Sequence, residues 1–363
     1  MEGIKPKRDV SLDVARGMAI ALVVFLHVFE SYTYDWPTVT HNWYWVGIHQ
    51  FAMPLFIFIS GYLAYAKLDL KMIQRRAWQL LPPYLVWSII YYFVFSYVIQ
   101  LFHLRSNLFK NLAYDIWTLN PSSFWFFPVL LALCVILYLT RGKLWLTLLT
   151  LLGFYGLSQV PWPGSVGGIH IPDTHWFSAL AWFLPFFALG YFIAKYKEKL
   201  YRLRYIKWAC LAAFPVFFIL AGNLNYNELI HSWASVSMSG WYIGAGFYMF
   251  GMGLVGIGAA LAVSDLIARV AGVRWVFQYL GAISLGVFCT HSLFRTIGFG
   301  SGLGRVFLTT LIDLVLSAAL VWVLQKSRIT NFLLLGGGLK SLQRKTTPDK
   351  PRLVKAQKEH EPG

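Results

Sequence analysis

Four ionisable residues stand in or beside the first long apolar run of the chain: Asp13, Arg16, His27 and Glu30. Charge inside a segment able to cross hydrocarbon is costly, so each of these groups needs a partner or a task. At 100° per residue, the steps from Arg16 to His27 return to within about 20° around a helix. Asp13, one turn before Arg16, falls on roughly the same stripe. One helix face would then carry a guanidinium near one boundary and an imidazole roughly 16 Å further along. Glu30 follows His27 at a spacing that lets its carboxylate orient or charge the ring. An imidazole exchanges protons near neutral pH, and a guanidinium binds phosphate or carboxylate through paired donors. Each residue also has a structural alternative. Arg16 can be a boundary arginine paired with Asp13 and snorkelling to water, and His27 can be a hydrogen-bonded helix contact.

The elements that must hold these residues are membrane helices. Of 363 residues, 58% are hydrophobic and only 13% charged, against roughly 25% charged in soluble domains. Apolar runs of about twenty residues recur, long enough to cross a core of ~30 Å. The pattern predicts an all-α integral membrane protein, a bundle of about ten transmembrane helices near 13–31, 43–66, 79–102, 123–140, 144–160, 176–194, 206–222, 240–263, 280–299 and 304–325. Residues 1–12 form the N-terminus, 13–325 the helical domain, and 326–363 a basic, largely disordered tail.

Alternate connecting segments differ in charge. Lys5, Lys7, Arg8, Lys67, Lys71, Arg75, Arg76, Arg141, Lys143, Lys195, Lys197, Lys199, Arg202, Arg204, Lys207, Arg269 and Arg274 fall on one side, with only Arg105, Lys110 and Arg305 on the other. Basic loops stay cytoplasmic, so both termini are expected inside. The bias is weakest near Arg141, where helices four and five are the place to miscount. The basic N-terminus resembles the start of a secretory signal, but no small-residue cleavage site follows, and the first helix is expected to stay as an anchor.

The opposite loops hold Asp35, His41, Asn107, Asp115, Asn120, His170, Asp173, His175, Asn223, Asn225, Asn227 and Glu228 among many tryptophans and tyrosines. Such aromatics are interfacial anchors or, in the alternative, a surface for stacking sugar rings.

The formal charge of +16 belongs to this topology and to anionic lipid, and no nucleic-acid-binding motif accompanies it. Cys134, Cys210 and Cys289 are odd in number and widely spaced, which points to neither a disulfide framework nor a zinc site. Gly251, Gly253 and Gly256 match G-x-G-x-x-G, but inside an apolar helix such glycines serve close helix packing, not a dinucleotide.

The segment Leu12-Asp13-Val14-Ala15-Arg16-Gly17-Met18-Ala19-Ile20, with His27 beyond it, resembles the opening of the acyltransferase-3 family of membrane acyltransferases. That family's hallmark is an arginine, ten residues and a histidine in the first helix. The second run, 51–62, is similar to the family's apolar stretch closing on Ser-Gly-Tyr, here Ser60-Gly61-Tyr62. Pro82-Pro83-Tyr84, Trp125-Phe126-Phe127, and Ile283-Ser284 through His291 match further motifs in order. The likeness runs from about residue 9 to 325 and is closest to sugar-acetylating branches without a fused extracytoplasmic domain. Two departures stand out. Ala52 occupies the place of a histidine found before Met-Pro in many sugar-acetylating relatives, with His49 one turn earlier as a substitute. Gln79 stands where a second arginine often follows the first, so Arg75 and Arg76 must supply the charge.

What the resemblance implies is transfer of an acyl group, usually acetyl from acetyl-CoA, to a hydroxyl of a carbohydrate or related envelope acceptor, in a multi-pass protein of a bacterial inner membrane. Acyl-CoA is then a donor substrate and no bound cofactor or metal is expected. Arg16, Arg75 and Arg76 are the cationic groups suited to polyanionic CoA, and His27 is the candidate base. Ser60 and Tyr62 would position acyl carbonyl or acceptor, or act as packing glue. Trp125 would line a tunnel or simply pack, and His291, placed near the middle of the ninth helix, would meet His27 in depth or be structural. The expected partners are acyl-CoA, a carbohydrate or lipid-linked sugar, and membrane lipids, with envelope-assembly proteins a further possibility. Two alternatives from other classes are a transporter or flippase of a glycan or lipid-linked intermediate, and a non-catalytic envelope-assembly partner.

Overall fold

The computed structural model describes residues 9–32, 42–100, 124–158, 175–200, 205–221, 240–298 and 302–338. Within them the chain is helical and no strand occurs. The helices are α1 (Val10–Tyr32), α2 (Trp43–Ala64), α3 (Leu70–Gln100), α4 (Phe126–Leu139), α5 (Leu144–Ser158), α6 (His175–Lys195), α7 (Ile206–Ala221), α8 (Gly240–Ile267), α9 (Ala271–Thr290), α10 (Gly302–Leu324) and α11 (Arg328–Leu335). Short 3₁₀ turns follow α2 (Tyr65–Lys67) and α9 (His291–Leu293).

Among the described residues, six helices are long and apolar enough to cross a membrane: Val10–Tyr32, Trp43–Ala64, Phe177–Lys195, Tyr248–Ile267, Ala271–Leu293 and Gly302–Leu324. Phe126–Leu139, Leu144–Leu157 and Ile206–Leu220 are apolar but shorter. Polarity is inverted relative to a water-soluble bundle. On α10, Leu311 and Val315 are 62% and 67% exposed, whereas Asp313 and Ser317 are 0% exposed. A helix that turns leucine outward and carboxylate inward has hydrocarbon as its solvent. The chain is a membrane protein.

α1 runs through the middle, packed against α2, α8, α9 and α10, while α2 lies between α1 and the group α6, α7 and α8. Close approach of α1 and α9 depends on reciprocal glycines. A Cβ on Gly17 would fall on the carbonyl oxygen of Phe277, and one on Gly281 would fall on that of Asp13. α2 and α6 cross in the same way, through Gly61 and Gly190. The glycine series on α8 serves packing as its composition implied: Gly256 faces the Phe51 ring, and Gly253 lies against Phe186 and the carbonyl of Gln50.

Two helix boundaries differ from those read from the sequence. α3 begins at Leu70, not 79, so Lys71, Arg75 and Arg76 are helical and not in a loop. Asp69 caps this end, its carboxylate accepting from the backbone N–H of Met72 at 2.6 Å. The charges here lower hydropathy without lowering helix propensity. α9 likewise begins at Ala271 and ends at Thr290, so His291 sits in the turn beyond the helix and not near its middle.

α4 and α5 are two short helices joined by a tight turn in which Arg141 (φ 52°) and Gly142 (φ 55°) are left-handed. Lys195 of α6 fastens that turn by donating to the Gly142 carbonyl at 2.9 Å. The sequence reading assigned 328–335 to the tail, but this segment is α11, capped by Ser327 and ended by left-handed Gly336. Trp87 of α3 donates its indole N–H to the Leu334 carbonyl at 2.8 Å and holds α11 in place.

Candidate active site

α1 places Arg16 and His27 at two levels of its inner face, and α9 meets both. Arg16 donates through Nη2 to Ser284 Oγ at 3.1 Å. His27 stacks on His291, with ring centroids 5.2 Å apart and planes at 28°. Since early α9 meets early α1, and the turn after α9 meets late α1, the two helices run parallel. Asp13 is buried one turn before Arg16, in the α1–α9 seam.

Around His27 the geometry is that of an oriented imidazole. Its Nδ1 lies 2.9 Å from Glu30 Oε2. A carboxylate only accepts, so Nδ1 carries the hydrogen and Nε2 is left as the basic nitrogen. The other carboxylate oxygen, Oε1, accepts from the indole N–H of Trp45 at 3.2 Å. Trp45 is almost wholly buried on α2 and stacks on His49 at 4.7 Å. Glu30 is thus fixed from two directions, and His49 is brought beside the cluster through Trp45. His27 keeps 28% of its side-chain surface and Glu30 23%, so the dyad is shielded but reachable. Ser31 donates to the His27 carbonyl at 2.7 Å, tightening the end of α1.

His291 is fully buried. Its Nδ1 faces the carbonyls of Phe288 at 2.9 Å and Val287 at 3.3 Å, and therefore carries the hydrogen. Ala52, just before Met53-Pro54, is a fully packed core residue.

The remaining candidates lie apart from this cluster. Ser60 and Tyr62 are on α2 roughly 16 Å or more beyond His49 by helical rise. They flank Gly61, where α2 touches α6. Trp125 stands just before α4 and stacks on Phe183 of α6 at 5.2 Å and 23°. Arg75 is exposed at the start of α3, while Arg76 is half-buried and within electrostatic reach of Cys134 on α4. His41, Asp35, Asn107, Asp115, Asn120, His170, Asp173 and the 223–228 amides lie outside the described residues, as do Lys5, Lys7, Arg8, Arg105, Lys110, Arg202, Arg204 and the tail beyond 338. The side chain of His175 is outside them too.

Sequence reasoning missed Trp45 and Asp313. Trp45 carries no signal beyond its place one turn before His49. Asp313 does, because it is the one carboxylate of α10 and stands midway along its apolar run, the pattern that marks an intramembrane functional group.

The site is thus a histidine–carboxylate dyad held within a bundle of apolar helices. The acyltransferase-3 model, described as an acyltransferase domain, matches residues 9–339. The chain belongs to this family of membrane acyltransferases. Among curated proteins it is similar to the nodulation protein NolL of Mesorhizobium japonicum (strain LMG 29417 / CECT 9101 / MAFF 303099), 36% identical over 99 residues, 25% of this chain and 26% of that protein. NolL of Sinorhizobium fredii (strain NBRC 101917 / NGR234) is 37% identical over 87 residues, 22% of this chain and 23% of that one. The matched part thus spans about a quarter of these relatives' length. No solved structure matches the chain.

Proposed function

We propose that the protein is an O-acyltransferase of a bacterial inner membrane, moving an acyl group, acetyl foremost, from cytoplasmic acyl-CoA to a hydroxyl of a carbohydrate, free or lipid-linked. The observation that carries this reading is the His27–Glu30 dyad, with Nε2 free, on the same face of α1 as Arg16. Ten crossings with both ends cytoplasmic fit it. Parallel packing of α1 and α9 needs an odd number of crossings between them, and α2 to α8 supply seven on this count. The basic connections, with Arg75 and Arg76 in the first turns of α3, then face the compartment that contains CoA.

In this reading Arg16, Arg75 and Arg76 bind the phosphates of the donor. His27 Nε2 takes the proton of the acceptor hydroxyl as its oxygen attacks the thioester carbonyl. The C–O bond forms, the C–S bond breaks, and the departing thiolate takes the proton back from His27. Glu30 holds the ring in the required tautomer throughout, and membrane lipids surround the bundle. Envelope-assembly proteins would supply or receive the acceptor.

The test supplies purified protein with labelled acetyl-CoA and candidate envelope glycans. Label should enter glycan with wild type and be lost with His27→Ala. Unchanged transfer by that variant overturns the role of His27. Movement of intact glycan across vesicles without thiol release would overturn the transferase reading in favour of transport.

A further inference from the structure

Among the described residues, the buried polar atoms with no hydrogen-bond partner include His291 Nε2 and Asp313 Oδ2. Asp313 stands midway along α10 and is wholly buried. Its Oδ1 accepts from Ser317 Oγ at 2.9 Å. Placing a carboxylate here costs far more than placing another leucine, and leaving one oxygen unmatched adds to that cost. Helix packing alone would not retain it.

Its surroundings indicate the task. α10 packs against both α1 and α9. One turn before Asp313, Thr309 donates to the Tyr32 hydroxyl at 3.3 Å, and Phe307 meets Phe25 at 5.3 Å, so this part of α10 lies along the end of α1 that carries His27. Among the described residues, His27 and Arg295, just beyond the turn after α9, are ionisable groups whose charge acts on Asp313. Arg295 also donates to the Tyr91 hydroxyl at 3.4 Å. His291, whose free Nε2 is also buried, stacks directly on His27. The lone carboxylate of α10, the orphaned ring nitrogen and the candidate base therefore share one water-poor neighbourhood.

We propose that Asp313 is a second positioning residue for His27, its carboxylate balancing the charge the ring acquires when it holds the acceptor's proton. This rests on the acyl-transfer reading above. Glu30 serves the Nδ1 side of the ring by direct contact, and Asp313 serves it through the field inside the bundle, where low polarity lets charges act beyond contact distance. Asp313 gives and takes no proton in the cycle. The proton passes from the acceptor hydroxyl to His27 and from His27 to the thiolate.

The test uses full-length protein in lipid nanodiscs, with Asp313→Asn, Asp313→Glu and Ser317→Ala, labelled acetyl-CoA, and the glycan that wild type acetylates. Asp313→Asn should lower kcat at least tenfold while KM for acetyl-CoA stays within twofold. Asp313→Glu should recover part of the loss, and Ser317→Ala should fall between. A kcat within twofold of wild type for Asp313→Asn overturns the proposal, as does equal damage to kcat and KM. A second measurement needs no turnover. Carbethoxylation of His27 by diethyl pyrocarbonate, followed by mass spectrometry at alkaline pH, reads the nucleophilicity of the ring itself. Asp313→Asn, or Asp313→Glu should the asparagine variant fail to fold, should change that rate threefold or more. Equal rates overturn the proposal whatever the transfer assay gives. A changed rate in a protein that transfers no acyl group would sustain the link to His27 and refute the acyl-transfer reading instead.

Discussion

Replacing Glu30 by glutamine keeps the shape of the side chain, removes the charge, and leaves one oxygen and one NH2 where the carboxylate offered acceptors to both His27 and Trp45. In the structure Glu30 Oε2 sits 2.9 Å from His27 Nδ1, and the two side chains are 23% and 28% exposed. Screening at that exposure is partial. A hydrogen bond to a charged group contributes roughly 1.5–3 kcal/mol and a neutral one about 1. With the amide oxygen kept toward His27, the substitution therefore removes about 0.5–2 kcal/mol from the state in which His27 carries the proton. At 1.36 kcal/mol per tenfold, kcat should fall roughly 2- to 30-fold. KM for acetyl-CoA should hold, because in the proposed reading the donor's phosphates bind at Arg16, toward the other end of α1. Glu30→Ala also deletes the oxygen that receives the Trp45 indole N–H at 3.2 Å. It should lower the melting temperature as well as kcat. Steady-state transfer of labelled acetyl, paired with thermal melts in detergent, separates the two effects. If Glu30→Gln transfers within twofold of wild type, the dyad is a structural contact and His27 is not an oriented base.

Three other outcomes follow from the packing. Gly281→Ala puts a methyl group against the Asp13 carbonyl oxygen, so α1 and α9 must separate. Melting should drop as expected for an overpacking cost of about 1–3 kcal/mol, with transfer at least tenfold lower, whereas Gly153→Ala, with nothing within 4 Å, should leave both unchanged. Ser284→Ala removes the acceptor of Arg16 Nη2, and should raise KM for acetyl-CoA about 5- to 20-fold, by loss of one charged hydrogen bond, with a smaller change in kcat. Trp87→Phe deletes the indole bond to the Leu334 carbonyl, and limited trypsin digestion should then cut more rapidly at Arg328 as α11 loosens.

Hydropathy makes the interior of each helix legible and its charged ends illegible. Val10–Tyr32 and Trp43–Ala64 begin and end within a few residues of the runs 13–31 and 43–66. The first two turns of α3 were read as loop because Lys71, Arg75 and Arg76 dilute the apolar signal, although Asp69 already caps a helix there. The same dilution by Arg274 and Gln278 moved α9 and misplaced His291. In the site, the 3.6-residue period was enough for the Arg16–His27 face and the i,i+3 pairing with Glu30. The stacking of His291 on His27 needed the family likeness, since 264 positions separate them and no local rule connects them. Trp45 was hidden among sixteen tryptophans, most of which serve as anchors or packing. Only the tertiary structure distinguishes it, by an indole N–H that reaches the Glu30 carboxylate.

The separation along α1 constrains the donor. Arg16 and His27 stand roughly 16 Å apart by helical rise, and α9 fixes both levels, through Ser284 below and His291 above. A donor held by its anionic end at Arg16 must present its acyl carbon at His27 across that gap. Acyl phosphate cannot, because its carbonyl is attached directly to the phosphate. The long arm between the phosphates and the thioester of CoA can, and it needs a narrow path lined by helix surface over the same distance. Residues between the two levels on the inner face of α1, such as Ile20 and Val23, are fully or almost fully buried, so the arm must run beside this face and not through it. Bulk added there should hinder a CoA thioester and leave a small donor unaffected.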